Sequence, residues 1–181
     1  VISFDREDLD VKGTIVICLQ EVVESKAGRP GWMKVLEDAG LPKNSAFQTN
    51  AVVPDEDVLK LISSTATVLG ITKQAAMDAF GEHWGKTYAP SMYGIYYDKY
   101  TNAHDFLLHM DEVHVAMTKF AGASPPHFTF KEVSPTEIVM NYSSPRGLVA
   151  LMPSLIKGVG AYYKQKVTVR PAGNDMHITF G

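Results

Sequence analysis

Two groups of residues in this 181-residue chain have the types and spacing for chemistry. The first centres on His114, which shares an apolar stripe with Phe106, Leu107, Met110, Val113 and Met117 at helical spacing. An imidazole facing an apolar slot with one coordination side open is what a proximal haem ligand requires, and a partly buried structural histidine would look the same. The second group is Tyr142-Ser143-Ser144-Pro145-Arg146, at a strand-to-helix junction. Tyr142 and Ser144 are two apart, so on a strand their hydroxyls point the same way. Arg146 then stands at a helix start, where the dipole does not favour a cation, which suggests an anionic partner. Two hydroxyls and a guanidinium make a three-point clamp for carboxylates or phosphates, while the bland alternative is a helix cap with a surface arginine.

Other chemistries find little support. Six histidines are present, but His104, His109 and His114 follow one another at intervals of five, which turns neighbours onto different helix faces, and no His-Glu-x-x-His sequence occurs. The single cysteine, Cys18, lies in an apolar run and reads as a small buried hydrophobe; it permits neither an internal disulfide nor a thiolate cluster. Gly158-Val159-Gly160 lacks the remainder of a phosphate-binding loop, and the flanking glycines of a nucleophile elbow are missing around Ser143-Ser144. A net charge of -3 argues against a general nucleic-acid surface. The most apolar stretch, residues 147–163, is interrupted by Pro153 and Lys157 and falls short of the roughly 20 apolar residues of a membrane span. Cysteine usage and the lack of a visible secretory signal fit a cytoplasmic setting.

The elements that must position these residues follow from periodicity. Ile15, Leu19, Val22 and Val23 predict a helix closing near Gly28, with a second over 31–39 stopped by Gly40 and Pro42. Asp55, Glu56 and Asp57 open a helix that Gly70 ends, and Thr72 caps the next, which carries Ala75, Ala76, Ala79 and Phe80. Short helical turns are expected over 88–100, and one long helix over 102–120. After Pro125-Pro126 the period changes to two, giving strands around Phe128–Phe130 and Ile138–Tyr142, a helix over 146–163, and two further strands at 166–170 and 177–180 with a turn at Gly173-Asn174. Helices followed by a four-strand sheet read as α+β.

In this order and spacing, the residues resemble the H-NOX domain, the haem nitric oxide/oxygen binding domain related to the haem domain of soluble guanylate cyclase. The resemblance rests on Val11-Lys12-Gly13-Thr14-Ile15, Phe80-Gly81-Glu82-His83-Trp84, Asp111-Glu112-Val113-His114, Pro125-Pro126 and Tyr142-x-Ser144-x-Arg146. It covers residues 11–181 as one haem-binding gas-sensor domain and leaves 1–10 as a linker or N-terminal extension. The family often begins Met-Lys-Gly; Val11 in the methionine's place fits an internal domain or an altered N-terminus.

The resemblance implies a helical N-terminal half packed on a C-terminal half with a four-stranded antiparallel sheet and helices, the haem lying between them. The cofactor would be haem b, with His114 as the proximal iron ligand and Tyr142, Ser144 and Arg146 holding the propionates. Pro126, with Pro125 beside it, would press on the macrocycle, and Asp55 matches an acid that pairs with the clamp arginine. Ile15, Leu19, Trp84, Leu151 and Met152 would line or border the haem and gas pocket. Oxygen-binding relatives carry a tyrosine on the helix after the arginine. The matching stretch here, Gly147-Leu148-Val149-Ala150-Leu151-Met152, has no hydroxyl, which points to nitric oxide, with carbon monoxide as a second ligand.

Signalling would follow cleavage of the iron–His114 bond, in a sensor rather than an enzyme. The receiver would be a partner such as a histidine kinase, a cyclic-di-GMP enzyme, a chemotaxis receptor or a guanylate cyclase. The competing readings are an oxygen-binding haem sensor and a haem-free anion-binding or scaffold module. A haem peroxidase, or a hydrolase using Ser144, lacks a recognisable acid–base pair.

Overall fold

The computed structural model describes residues 10–118, 126–144 and 148–181. The chain forms two compact units, one ending at Phe80 and one beginning at Gly81. The first unit opens with a pair of three-residue antiparallel strands, β1 (Asp10–Lys12) and β2 (Val52–Pro54), which alternation over so few residues does not announce. Helix α1 (Gly13–Asp38) is two helical pieces joined at Gly28, whose φ of 63° is open to glycine without steric cost. Pro30 follows within the first turn of the second piece, where its missing N–H costs nothing. Gly13 sits where a Cβ would collide with the carbonyl oxygen of Gln48, and its N–H donates to Ala51 O at 2.7 Å.

Helix α2 (Asp55–Leu69) begins with three acids in its first turn and ends at Gly70, in the left-handed conformation, whose N–H returns to the Ala66 and Thr67 carbonyls. Leu19, Val23, Trp32, Val35 and Leu36 from α1 and Val58, Leu61 and Ile62 from α2 form the buried interior of this unit. Cys18 is fully buried within it, and burial pushes its thiol pKa well above the ordinary range, so it stays protonated and inert. Helix α3 (Lys73–His83) follows Thr72, whose hydroxyl accepts the Ala75 N–H at 3.1 Å.

The second unit continues from α3 through a π-helical turn, Trp84–Tyr88, into α4 (Ala89–Tyr97), then α5 (Ala103–Leu108) and α6 (Met110–Thr118). Its sheet consists of β3 (His127–Ser134), β4 (Glu137–Ser143), β5 (Val167–Ala172) and β6 (Asp175–Phe180), in the spatial order β3-β4-β6-β5 and antiparallel throughout. Between β4 and β5 run a 3-10 turn, Leu148–Leu151, and α7 (Met152–Tyr162). Ile138 and Met140 alternate inward on β4 opposite Ile178 and Met176 on β6, and all four are buried with Ile156 and Val159 of α7. The α+β class and the four-stranded antiparallel sheet agree with expectation.

Two expected helices are divided. The helix expected over 102–120 breaks at His109, which has φ -102° and ψ 13°. Its Nδ1 hydrogen-bonds the Asp105 carbonyl at 2.8 Å, the acceptor that its own N–H would use in a continuous helix, and that N–H turns instead to Phe106 O. Similarly, the helix expected over 146–163 becomes regular only at Met152, after the 3-10 turn, because Pro153 is admitted in a first turn but not in a helix interior.

Candidate functional site

His114 lies near the middle of α6, half-buried, with Nδ1 hydrogen-bonded to the Met110 carbonyl at 2.9 Å. A carbonyl can only accept, so Nδ1 carries a proton, and in the neutral ring the lone pair falls to Nε2, the tautomer a metal needs. The imidazole ring stands 5.0 Å from the ring of Phe128. Phe128 in turn lies 5.7 Å from Tyr142, its register partner across β3 and β4. Thus Phe128 bridges the candidate ligand and the first residue of the candidate clamp. It was not expected from the sequence, although the alternation Phe128–Phe130 placed it on the buried face of a strand.

The bridge is held at the backbone. Phe128 N–H donates to Asp111 Oδ1 at 2.9 Å, and His127 Nδ1 lies 3.6 Å from the same oxygen. Asp111 occupies the first turn of α6, where the dipole favours its charge, three residues before His114. A displacement of His114 is therefore tied to β3 by a side-chain-to-backbone bond as well as by ring contact.

Tyr142 is buried near the end of β4, Ser143 is exposed, and Ser144 is half-buried just beyond the strand, so the period-two alternation carries through the clamp. The Tyr142 N–H donates to Asn174 O at 2.9 Å, fixing the strand end. Arg146, Pro125 and nearly all of the expected N-terminal extension lie outside the described residues. Pro126 is half-buried and immediately precedes β3.

Trp84 is half-buried at the start of the π-helical turn, stacked on Tyr88 at 5.5 Å between centroids. It packs against the same apolar cluster that includes Phe128, Tyr142 and Met152. Leu151 and Met152 are buried where the 3-10 turn meets α7. Ile15, half-buried, and Leu19, buried, belong to α1 in the first unit, as Asp55 belongs to α2. Hence His114, Phe128, Tyr142, Trp84 and Met152 all belong to the second unit, with His114, Phe128 and Tyr142 linked ring to ring.

Among the described residues no three His, Cys, Asp or Glu side chains converge to hold a metal ion. A lone imidazole suits a metal that brings its other ligands with it, as iron in a macrocycle does. Among the described residues, no helix is long and apolar enough to cross a membrane.

Comparison with known proteins adds a family to this geometry. A family model described as haem-NO-binding matches residues 12–171. Comparison with curated proteins finds no match. Among solved structures, the chain is similar to an H-NOX protein from S. oneidensis in the Fe(II)NO ligation state, with a TM-score of 0.81 and 20% identity over 94% of this chain and 98% of that one. It is also similar to an oxygen-binding H-NOX domain related to soluble guanylate cyclases, in its oxygen complex (TM-score 0.75, 22% identity, 94% and 95% of the two chains). A third similar structure is a Cs H-NOX mutant carrying the unnatural amino acid 4-cyano-L-phenylalanine (TM-score 0.78, 23% identity, 94% and 96%).

Proposed function

The chain belongs to the haem-NO-binding family, whose H-NOX domains are haem-based gas sensors, and on that premise we propose that it senses nitric oxide, binds carbon monoxide as a second ligand, and excludes oxygen. The observation that carries the haem assignment is the setting of His114: its ring stands 5.0 Å from Phe128, which leads on to Tyr142, and a 2.9 Å bond joins its Nδ1 to the Met110 carbonyl. That bond selects the Nε2 lone pair, orients the ring, and raises its basicity as a ligand. The surrounding residues fit haem b: Phe128 and Met152 offer an apolar wall, and the Tyr142 and Ser144 hydroxyls, with Arg146, would receive the propionates. Pro126 would border the macrocycle where β3 begins.

Bound ferrous haem, held through His114, would supply the iron that takes up a diatomic gas. Oxygen gains negative charge on binding and depends on a hydrogen-bond donor; nitric oxide and carbon monoxide need much less help. Leu151 and Met152 are buried and carry no donor, which supports exclusion of oxygen. On this reading the reporting residue is His114. Movement of its imidazole would be felt first by α6 and, through the Asp111 bond and the Phe128 ring, by β3. A partner such as a histidine kinase, cyclic-di-GMP enzyme, chemotaxis receptor or guanylate cyclase would read the change if it binds the two arrangements unequally.

Absorption spectra test the choice of gas. The ferrous protein should give the same spectrum in air-saturated and oxygen-free buffer, before slow oxidation, and a shifted Soret band with nitric oxide or carbon monoxide. A stable oxygen complex in air would sink the selectivity.

A further inference from the structure

A groove of about 440 Å³ opens on the first unit, lined from the end of α1, from α2 and from the start of α3, a size within the range that holds small molecules. Of the charged residues around it, Lys60 is already answered by Asp57 Oδ1 at 3.1 Å and Glu56 Oε1 at 3.8 Å. Asp38 and Lys73 also line the groove, and among the described residues neither makes an ion pair. Both stand at helix ends that do not favour their sign. Asp38 is the last residue of α1, where the dipole is negative, and Lys73 is the first of α3, where it is positive. A hydroxyl completes the set. Ser63, Thr65 and Thr67 on α2 each return theirs to the carbonyl four residues back, at 2.9, 2.8 and 3.3 Å. Ser64 is only 4% exposed, lines the groove, and makes no such bond among the described residues.

We propose that this groove binds a small zwitterion, an amino acid or a dipeptide, with its ammonium group at Asp38 and its carboxylate at Lys73. Charge and dipole agree at each end. The carbonyls closing α1 add to Asp38 in attracting a cation, and the N–H groups opening α3 add to Lys73 in attracting an anion. Placements that cost each helix a little become complementary to a molecule carrying both charges, whereas a ligand of one sign loses at one end what it gains at the other. The Ser64 hydroxyl can donate to the carboxylate or accept from the ammonium, and Leu59 and Ala39 suit an apolar side chain. All these residues belong to the first unit, so the proposal stands apart from the haem reading and gives the chain a second small-molecule input.

Isothermal titration calorimetry of the full chain, at low ionic strength where open ion pairs are least screened, tests this with leucine and glycyl-leucine. At least one should bind saturably, and the tighter of the two tells an amino-acid site from a dipeptide site. N-acetylation removes the ammonium charge and C-terminal amidation removes the carboxylate. Each blocked compound should bind at least about fivefold more weakly than its parent, the upper value of a single exposed ion pair.

Variants then pair each charge with its residue. Asp38→Asn should lose as much affinity for the parent compound yet no longer distinguish it from the acetylated one, and Lys73→Gln should behave likewise toward the amide. Ser64→Ala should weaken the parent as well. Lys34→Gln, at an exposed lysine of α1 outside the groove, should match the wild type. Asp38 and Lys73 are themselves exposed, so the fold should survive their substitution, and the blocked compounds decide the matter on the wild type alone if a variant does not fold. No saturable binding of either parent, or blocked compounds that bind as tightly as their parents, overturns the proposal. A loss in Lys34→Gln equal to that in Lys73→Gln overturns it too, because the attraction would then be one of overall charge.

Discussion

Replacing His114 with glycine should yield a folded protein that no longer retains stoichiometric haem, and imidazole in the buffer should restore the Soret band. The expected loss of haem retention is at least on the order of 100-fold, since disturbing only the partners of a metal ligand already costs roughly 10–100-fold. The fold should survive the change. His114 is half-buried rather than at the centre of the cluster, and glycine costs a helix interior less than about 1 kcal/mol relative to histidine. Far-ultraviolet circular dichroism checks that the helices persist. With imidazole bound but unattached to α6, nitric oxide should still bind while the partner response is lost. An unchanged Soret band without imidazole would remove His114 from the ligand role.

The second large effect is a gain of function. Leu151→Tyr should allow the ferrous protein to retain oxygen in air, because a phenol would then be available to donate to the bound gas. A hydrogen bond to a charged acceptor contributes roughly 1.5–3 kcal/mol, or about 10–100-fold in affinity. Leu151 is 3% exposed, so the added bulk should cost about 1–3 kcal/mol of stability through overpacking. Leu151→Phe adds nearly the same bulk without the hydroxyl, and it should lose stability similarly while gaining no oxygen affinity. If the tyrosine variant folds, loads haem and still ignores oxygen, Leu151 does not face the gas.

The sheet and its strand phases were legible because Phe128, Phe130, Ile138, Met140 and Tyr142 alternate with more polar neighbours, and period two requires no knowledge of the partner strands. Helix ends marked by Gly40 and Gly70 were legible for the same local reason. What escaped was decided by single atoms or by distant backbone. His109 leaves helical geometry and turns its N–H to Phe106 O, which no side-chain pattern announces, and β1 and β2 are too short to show a period. In the candidate site, type and spacing singled out His114 and Tyr142, and the family resemblance supplied the roles expected of them. Phe128 between them was not, because a strand pattern says which residues point inward but not which ring they meet. The Asp111 bond to the Phe128 backbone was hidden likewise: an acid in a first helical turn is already explained by the dipole. The close approach of Gly81 and Gly85 to Gly158 was least visible of all, since such glycines acquire their meaning only when two helices meet.

The iron–histidine stretching band of the ferrous holoprotein, recorded by resonance Raman before and after nitric oxide, tests the central claim most directly. The account predicts a band in the unliganded protein that nitric oxide abolishes, with His114→Gly lacking it from the start unless imidazole is supplied. A band that persists after nitric oxide binds, or one that remains in His114→Gly without imidazole, would contradict a sensor whose switch is the bond between His114 and iron.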